Sequence, residues 1–374
     1  MKKKVLIVNH GLEMTGYGRA CRNYAMALNS SGLDVVLRCI RPNKNNPVIK
    51  LSPELDVCLN KDIEGCEIVI NHILPHYLEY NGNFKKNIAI FITETENYWQ
   101  SGWVNYLNLM DEIWVPNSDN IKTATFNGIT KPVHIVPHAF NIQDYSKVPE
   151  PVNIPQISGN FIFYFIGEFN RRKRISALIQ AYLLEFTRNE PVTLLLKVNK
   201  SGTNHSQLND EVQKLSSDIK TSHKLYGQHD HFPQIVVIPQ YIEDINQIHS
   251  TGHCYVYGGF GEAWEQSAFD AMAYDKWIIT SNVGGPKDYL RKYNKGFVVD
   301  GHFSPVFGMN ETFPFLNTGR EEWFNVDIDM FQKTMRHVYR LNQKYGNHVG
   351  NGTQIIENYS YETIGKKMKD LISG

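Results

Sequence analysis

Short runs that are apolar at nearly every position recur along this chain, and helical patterns separate them. "KVLIVNH" (4–10), "DVVLRCI" (34–40), "CEIVINH" (66–72), "NIAIFIT" (87–93), "DEIWVPN" (111–117) and "VHIVPH" (133–138) make up a first series. A strand that is apolar throughout has both faces buried. Alternation with helices therefore implies a parallel sheet covered on both sides. The segment "KVPEPVNIPQISGN" (147–160) has three prolines and no helical period, and it reads as a linker. The pattern then restarts with "NFIFYFIGEFN" (160–170), "VTLLLKVN" (192–199), "IVVIPQY" (235–241), "HCYVYGG" (253–259), "KWIITS" (276–281) and "GFVVD" (296–300). The expectation is an α/β protein with two Rossmann-like domains, 1–150 and 157–355. A helix over 360–374, capped at Ser360, is expected to complete the first. The length of 374 residues agrees, at roughly 100–200 residues per domain.

A formal net charge of zero argues against nucleic acid as the main partner. The charge is uneven, because residues 1–50 carry nine cations (Lys2, Lys3, Lys4, Arg19, Arg22, Arg38, Arg41, Lys44, Lys50) against Glu13 and Asp34. Such a lobe is either a solvated face or a surface for an anionic acceptor or a membrane. The five cysteines include no C-x-x-C pair, which fits a reducing compartment rather than a disulfide scaffold or zinc site. The opening "MKKKVLIVNHGLEM" has only four apolar residues in a row, too few for the core of a signal peptide. The expected location is cytoplasmic, either free or peripheral to the inner face of a membrane.

Three segments carry chemistry. The loop "GLEMTGYGRA" (11–20) follows the first strand and opens a helix, so Gly16 and Gly18 let a ligand approach the backbone at a helix start. The dinucleotide fingerprint G-x-G-x-x-G is not met there. In "GEFNRRKRISALIQAY" (167–182), the cations Arg171, Arg172, Lys173 and Arg174 stand before a helix, where they oppose its dipole. That cost suggests an anion such as a diphosphate. In "GEAWEQSAFDAM" (261–272), Glu262 and Asp270 flank a loop-to-helix turn with seven residues between them, and Ser267 lies near the helix start. One reading has Glu262 and Glu265 merely complementing the helix dipole. The other has Glu262 and Asp270 accepting hydrogen bonds from hydroxyls on either side of a diphosphate.

The stretch "GEAWEQSAFDAMAYDKWIITSNVGG" resembles the signature of retaining glycosyltransferases of the GT-B fold, family 4 (group 1). "GYGRACRNYAMAL", "DEIWVPNSDNIK", "IVPHAFNIQDY" and "FIGEFNRRKRISALIQAY" resemble further segments of that family, in its order. The resemblance implies two Rossmann-like domains with a cleft between them, and transfer of a sugar from a nucleotide-diphosphate donor with retention. It implies that Glu262 contacts the donor sugar and Asp270 the ribose, with Gly261 and Ser267 beside the donor. Arg172 and Lys173 would neutralise the diphosphate. Gly16, Gly18 and Arg19 would approach the donor phosphates or the acceptor. Glu94 or Glu96 replaces the family's active-site histidine by position, and His72 is a further candidate. The chain departs from the family in having Glu168 at an arginine position, Asn141 at an aspartate, and Glu265, Gln266 and Ser267 for Gly-Leu-Pro. The implied partners are a nucleotide sugar and a glycan or lipid-linked acceptor. No cofactor and no metal are expected. A nucleotide-sugar epimerase, or a protein that binds a nucleotide sugar without turnover, is the alternative.

Overall fold

A computed structural model describes residues 2–41, 48–223, 231–309, 317–347 and 350–374. Lys44 of the basic N-terminal series lies outside the described residues. The chain divides into two compact units, Met1–Ser146 with Thr353–Gly374, and Lys147–Gly352.

In the first unit, the apolar runs become β1 (Lys4–Asn9), β2 (Asp34–Cys39), β3 (Ile68–His72), β4 (Lys86–Ile90), β5 (Glu112–Val115) and β6 (Val133–Ile135). The connecting helices are α1 (Gly16–Ser30), α2 (Pro53–Asn60), α3 (Trp103–Leu107) and α4 (Ser118–Phe126). The strands pair in parallel in the order β2-β1-β3-β4-β5-β6. Side chains alternate along a strand. Val5, Ile7, Val35, Leu37, Ile68 and Ile70 accordingly join one core, and Leu6, Val36 and Val69 form a separate cluster.

The second unit begins with β7 (Phe161–Glu168), α5 (Ile175–Glu185), β8 (Val192–Asn199), α6 (His205–Ser222) and β9 (Gln234–Ile238). It continues through α7 (Asn246–Thr251), β10 (Cys254–Tyr257), α8 (Gln266–Ala273), β11 (Trp277–Ser281), α9 (Gly284–Tyr293) and β12 (Phe297–Val299). An antiparallel hairpin, β13 (Gly301–Pro305) and β14 (Glu322–Val326), leads to α10 (Ile328–Tyr345). The six parallel strands run β12-β11-β10-β7-β8-β9. Strand order therefore reverses between β7 and β10, which lie side by side with Tyr164 opposite Tyr255. In open sheets of this kind, ligands bind beyond the carboxyl ends of the strands at that reversal.

After α10 the chain passes through α11 (Gly352–Ile356) and ends in α12 (Tyr361–Ser373), which belongs with the first unit. Ser360 caps α12 by accepting from the Thr363 amide at 3.1 Å. Ile364, Met368 and Ile372 enter the core that α1 lines with Tyr24, Ala27 and Leu28. The Tyr361 hydroxyl donates to Asn23 at 2.9 Å and the Lys369 ammonium to the Ser31 carbonyl at 3.0 Å. The two helices approach so closely at Gly365 that a Cβ there would sit 2.0 Å from the Ala27 carbonyl oxygen. Gly365→Ala therefore sets helix propensity against packing. Propensity favours alanine by about 1 kcal/mol, but backbone cannot yield as a side chain does. The expected result in a melting experiment is a net loss of about 2 kcal/mol or more.

Several cations of the basic N-terminal series are spent on this fold. Lys3 donates to the Ile372 carbonyl, Lys4 to that of Glu64, Arg22 to those of Gly11 and Glu13, and Arg38 to those of Leu37, Leu59 and Lys61. Among the described residues, no helix is long and apolar enough to cross a membrane.

Candidate functional site

Two loops leave the sheet at its reversal in the second unit. The β7–α5 loop is tied by its own polar side chains. Asn170 donates to the Glu168 carboxylate at 2.9 Å, and its carbonyl oxygen accepts from the Lys173 amide at 3.0 Å. Glu168 thus acts as a loop brace. Arg174 adopts a left-handed backbone (φ 44°) just before α5. Its guanidinium lies over the Phe260 ring at 4.9 Å and donates to the Val326 carbonyl at 3.1 Å. Burial lowers its pKa to about 10.

The β10–α8 loop lies against the first. The Phe260 amide donates to the Arg172 carbonyl at 2.9 Å, and the Arg172 guanidinium returns a bond to the Gly261 carbonyl at 2.8 Å. Support comes from behind. The Ser281 hydroxyl donates to the Gly259 carbonyl at 2.9 Å, and Trp323 stacks on Phe260 with ring centroids 4.2 Å apart. At the start of α9, Gly284 has φ 68°, and a Cβ there would fall 1.8 Å from the Glu262 carbonyl oxygen.

These contacts deliver four charged groups to one place. Arg172 pairs with the Glu262 carboxylate through a short hydrogen bond. The Lys173 ammonium lies 2.5 Å from Glu262 and 3.0 Å from Glu265, and sits over the Tyr257 ring at 5.1 Å. Tyr257 also donates to Glu262 at 3.3 Å, and Tyr255 to Glu265 at 2.7 Å. Glu262 is 9% exposed and Glu265 3%. Burial opposes ionisation of Glu262, but Arg172 and Lys173 outweigh it and bring its carboxyl down to about 2. Burial also penalises the Lys173 charge, yet Glu262 and Glu265 together raise its pKa. Among the described residues, Lys173 is the one cation paired with Glu265. Burial raises its carboxyl to about 7, with Lys173 opposing and Glu262 adding to the rise. The better-compensated acid ionises first, and its neighbour then resists.

The sequence-derived residues fall into two groups. Glu262, Gly261, Arg172 and Lys173 meet in this cluster. Ser267 lies in the first turn of α8, half-buried, and Asp270 follows one turn later with 3% exposure. The other candidates belong to the first unit. The Thr15 hydroxyl caps α1 by accepting from the Gly18 amide at 3.0 Å, and a Cβ on Gly18 would lie 2.3 Å from the Glu13 carbonyl oxygen. Gly16 is exposed, and Arg19 lies over Phe140 at 5.8 Å. Glu94 and Glu96 are half-buried in the segment after β4. Asn141 caps a single 3-10 turn, Ile142–Tyr145. His72 closes β3 and is fully buried, with its ring 4.8 Å from that of Tyr17 and 5.3 Å from that of Tyr24. Burial holds it well below the usual imidazole range, with His138 and His10 adding to the effect. It is a neutral ring among aromatic neighbours. Sequence reading passed over Tyr255, Tyr257 and the pairing role of Glu265. The two tyrosines had a signal, since they are two apart on a strand and share a face.

Residues 150–305 match the family model of Glycosyl transferases group 1. That segment carries Arg172, Lys173, Glu262, Glu265 and Asp270. A comparison with curated proteins found no match. Solved structures resemble the whole chain at low identity. Sucrose-phosphate synthase from Thermosynechococcus elongatus is 15% identical with a TM-score of 0.67, covering 100% of this chain and 98% of that one. HepE from Anabaena, in complex with UDP-glucose, is 10% identical with a TM-score of 0.66, covering 99% of each chain. A glycosyltransferase from Rickettsia africae is 12% identical with a TM-score of 0.63, covering 99% and 97%. The fold is accordingly α/β of the GT-B type.

Proposed function

We propose that this protein transfers a sugar from a nucleotide-diphosphate donor to an acceptor hydroxyl on a glycan or lipid-linked molecule, with retention at the anomeric carbon and without a metal. The observation that carries the reading is the Arg172–Lys173–Glu262 cluster at the sheet reversal, inside the segment that matches the group 1 glycosyl transferases. Negative charge grows on the leaving diphosphate as the glycosidic bond breaks. Two fixed cations beside it stabilise the transition state more than the ground state. Glu262 is held ionised at neutral pH and so accepts bonds from donor-sugar hydroxyls rather than delivering a proton. Asp270 is assigned to the ribose, and Gly261 and the amides around Ser267 to the phosphates. In the first unit, Gly16, Gly18, Arg19 and Glu96 are assigned to the acceptor side or the far donor phosphate.

The reading is tested by melting the protein with UDP, GDP, ADP and TDP and with their sugars. HepE was solved with UDP-glucose, so UDP-sugars come first. A true donor at a hundred times its Kd stabilises by about 2.7 kcal/mol and raises the melting point. If no member of the set moves it, the donor assignment fails. A shift without transfer to any acceptor would favour a nucleotide-sugar-binding protein instead.

A further inference from the structure

Glu265 stands in a backbone conformation that other side chains avoid. Its φ of 55° and ψ of 77° are left-handed, a region that glycine enters freely and a branched backbone enters at a cost. The residue is nonetheless a glutamate, its side chain 1% exposed. Its main-chain carbonyl is held as firmly as its carboxylate. It accepts from the Ala268 and Phe269 amides at 3.1 and 3.2 Å and from the Tyr289 hydroxyl at 3.2 Å. One carboxylate oxygen accepts from Tyr255 on β10, and the other faces the Lys173 ammonium. The carboxylate therefore points at a cation that the proposed reaction needs.

We propose that Glu265 is a positioning residue that seats the Lys173 ammonium and makes capture of the donor diphosphate proton-linked. This rests on Arg172 and Lys173 being the diphosphate ligands. With both acids ionised, the four groups Arg172, Lys173, Glu262 and Glu265 sum to zero charge. A diphosphate arriving there brings negative charge beside two buried carboxylates. A proton from solvent on Glu265 turns the sum to plus one, removes one of the two repulsions, and leaves Lys173 a single competing carboxylate. The groups facing Glu265 act in both directions, and burial tips the balance toward the protonated acid. Burial and Glu262 disfavour a second negative charge, whereas Lys173 and the hydrogen bond from Tyr255, which stays protonated, favour it; the Tyr289 hydroxyl meets the Glu265 main-chain carbonyl. The free site then titrates near neutral pH, and the anion-bound site holds its proton to higher pH.

The sign follows from linkage. The anion binds the protonated form better, so affinity falls as pH rises through about 7. Between pH 6 and pH 8 the loss is about tenfold. UDP-glucose is a suitable probe because its diphosphate is a diester and does not titrate in this range. Inorganic pyrophosphate, which itself titrates in this range, serves only to show whether an anion with no base or sugar binds the site. Titration calorimetry at pH 6 and pH 8, in buffers of different ionisation enthalpy, reads both affinity and proton uptake. The wild type is expected to bind more tightly at pH 6, where little proton uptake accompanies binding, and to take up close to one proton at pH 8. Glu265→Gln is expected to bind equally at both pH values with no excess uptake, because glutamine imitates the protonated acid. If the variant keeps the wild-type pH dependence, or loses affinity equally at both pH values, the inference is overturned and Glu265 is only structural. If neither probe binds either protein, the inference falls together with the donor assignment. A measurement without ligand separates those failures. A carboxyl raised by folding makes stability fall as pH climbs from about 4.5 through about 7. Glu265→Gln should remove that part of the melting curve's pH dependence, and an unchanged curve also overturns the inference.

Discussion

Glu262→Gln is expected to lose transfer while keeping its hold on the nucleotide. The substitution removes a carboxylate that pairs with both Arg172 and Lys173. It also removes the charged acceptor assigned to the donor sugar. Bonds to a charged group are worth about 1.5–3 kcal/mol, and preorganised charge next to a reacting centre is worth more. The turnover number should fall on the order of a hundredfold or more. Nucleoside diphosphate without its sugar should bind as well as before or better, since two cations lose a competitor. Breaking a buried ion pair typically costs about 3–5 kcal/mol of stability. Saturating nucleoside diphosphate should restore part of that loss, because it supplies the missing anion. Turnover within a few-fold of wild type would remove Glu262 from the site, and parallel loss of nucleotide and sugar-nucleotide binding would point to local collapse instead.

The second large effect is expected at a residue with no chemistry. Gly284→Ala places a methyl group 1.8 Å from the Glu262 carbonyl oxygen and also forces a side chain into φ 68°. The left-handed backbone alone costs on the order of 1 kcal/mol or more. The clash adds to it, because a main-chain carbonyl must move. The expected destabilisation exceeds about 3 kcal/mol. Whatever structure survives has the 261–265 loop displaced, and a misplacement near 1 Å can cost about a hundredfold in rate. Gly82→Ala is the control, since a Cβ there meets nothing within 4 Å. It should melt within about 0.5 kcal/mol of wild type. Equal melting of Gly284→Ala and wild type would show that α9 does not brace the loop.

The strands were readable because burial on both faces writes itself into sequence as continuous apolar runs. "HCYVYGG" and "KWIITS" became β10 and β11. The turn before α8 was readable for a related reason, since the helix formers from Gln266 to Ala273 coincide with the observed helix. The hairpin β13–β14 was not seen. Its first strand, "GHFSP", is largely exposed and has no apolar run to announce it. The charge cluster was half visible. Arg172, Lys173 and Glu262 stood out because each sits at a place where charge is costly. Glu265 did not, because in sequence it is one more acid near a helix start. Only the fold reveals that its carboxylate turns inward to Lys173 and Tyr255. The buried histidines His10 and His138 follow β1 and β6, and His72 closes β3; nothing local in the chain brings them to mind as neighbours.

The placement of α12 has a consequence for how this protein is made. The chain emerges in order, yet the first unit needs residues 353–374, which follow the whole of the second. Until those residues leave the ribosome, the face of α1 that carries Ala27 and Leu28 lacks its cover. The second unit can close its parallel sheet earlier, because the six strands of that sheet lie between Phe161 and Val299. The unit synthesised first is thus the unit completed last. A nascent or prematurely ended chain would show chaperones an open apolar groove on an otherwise finished α/β layer.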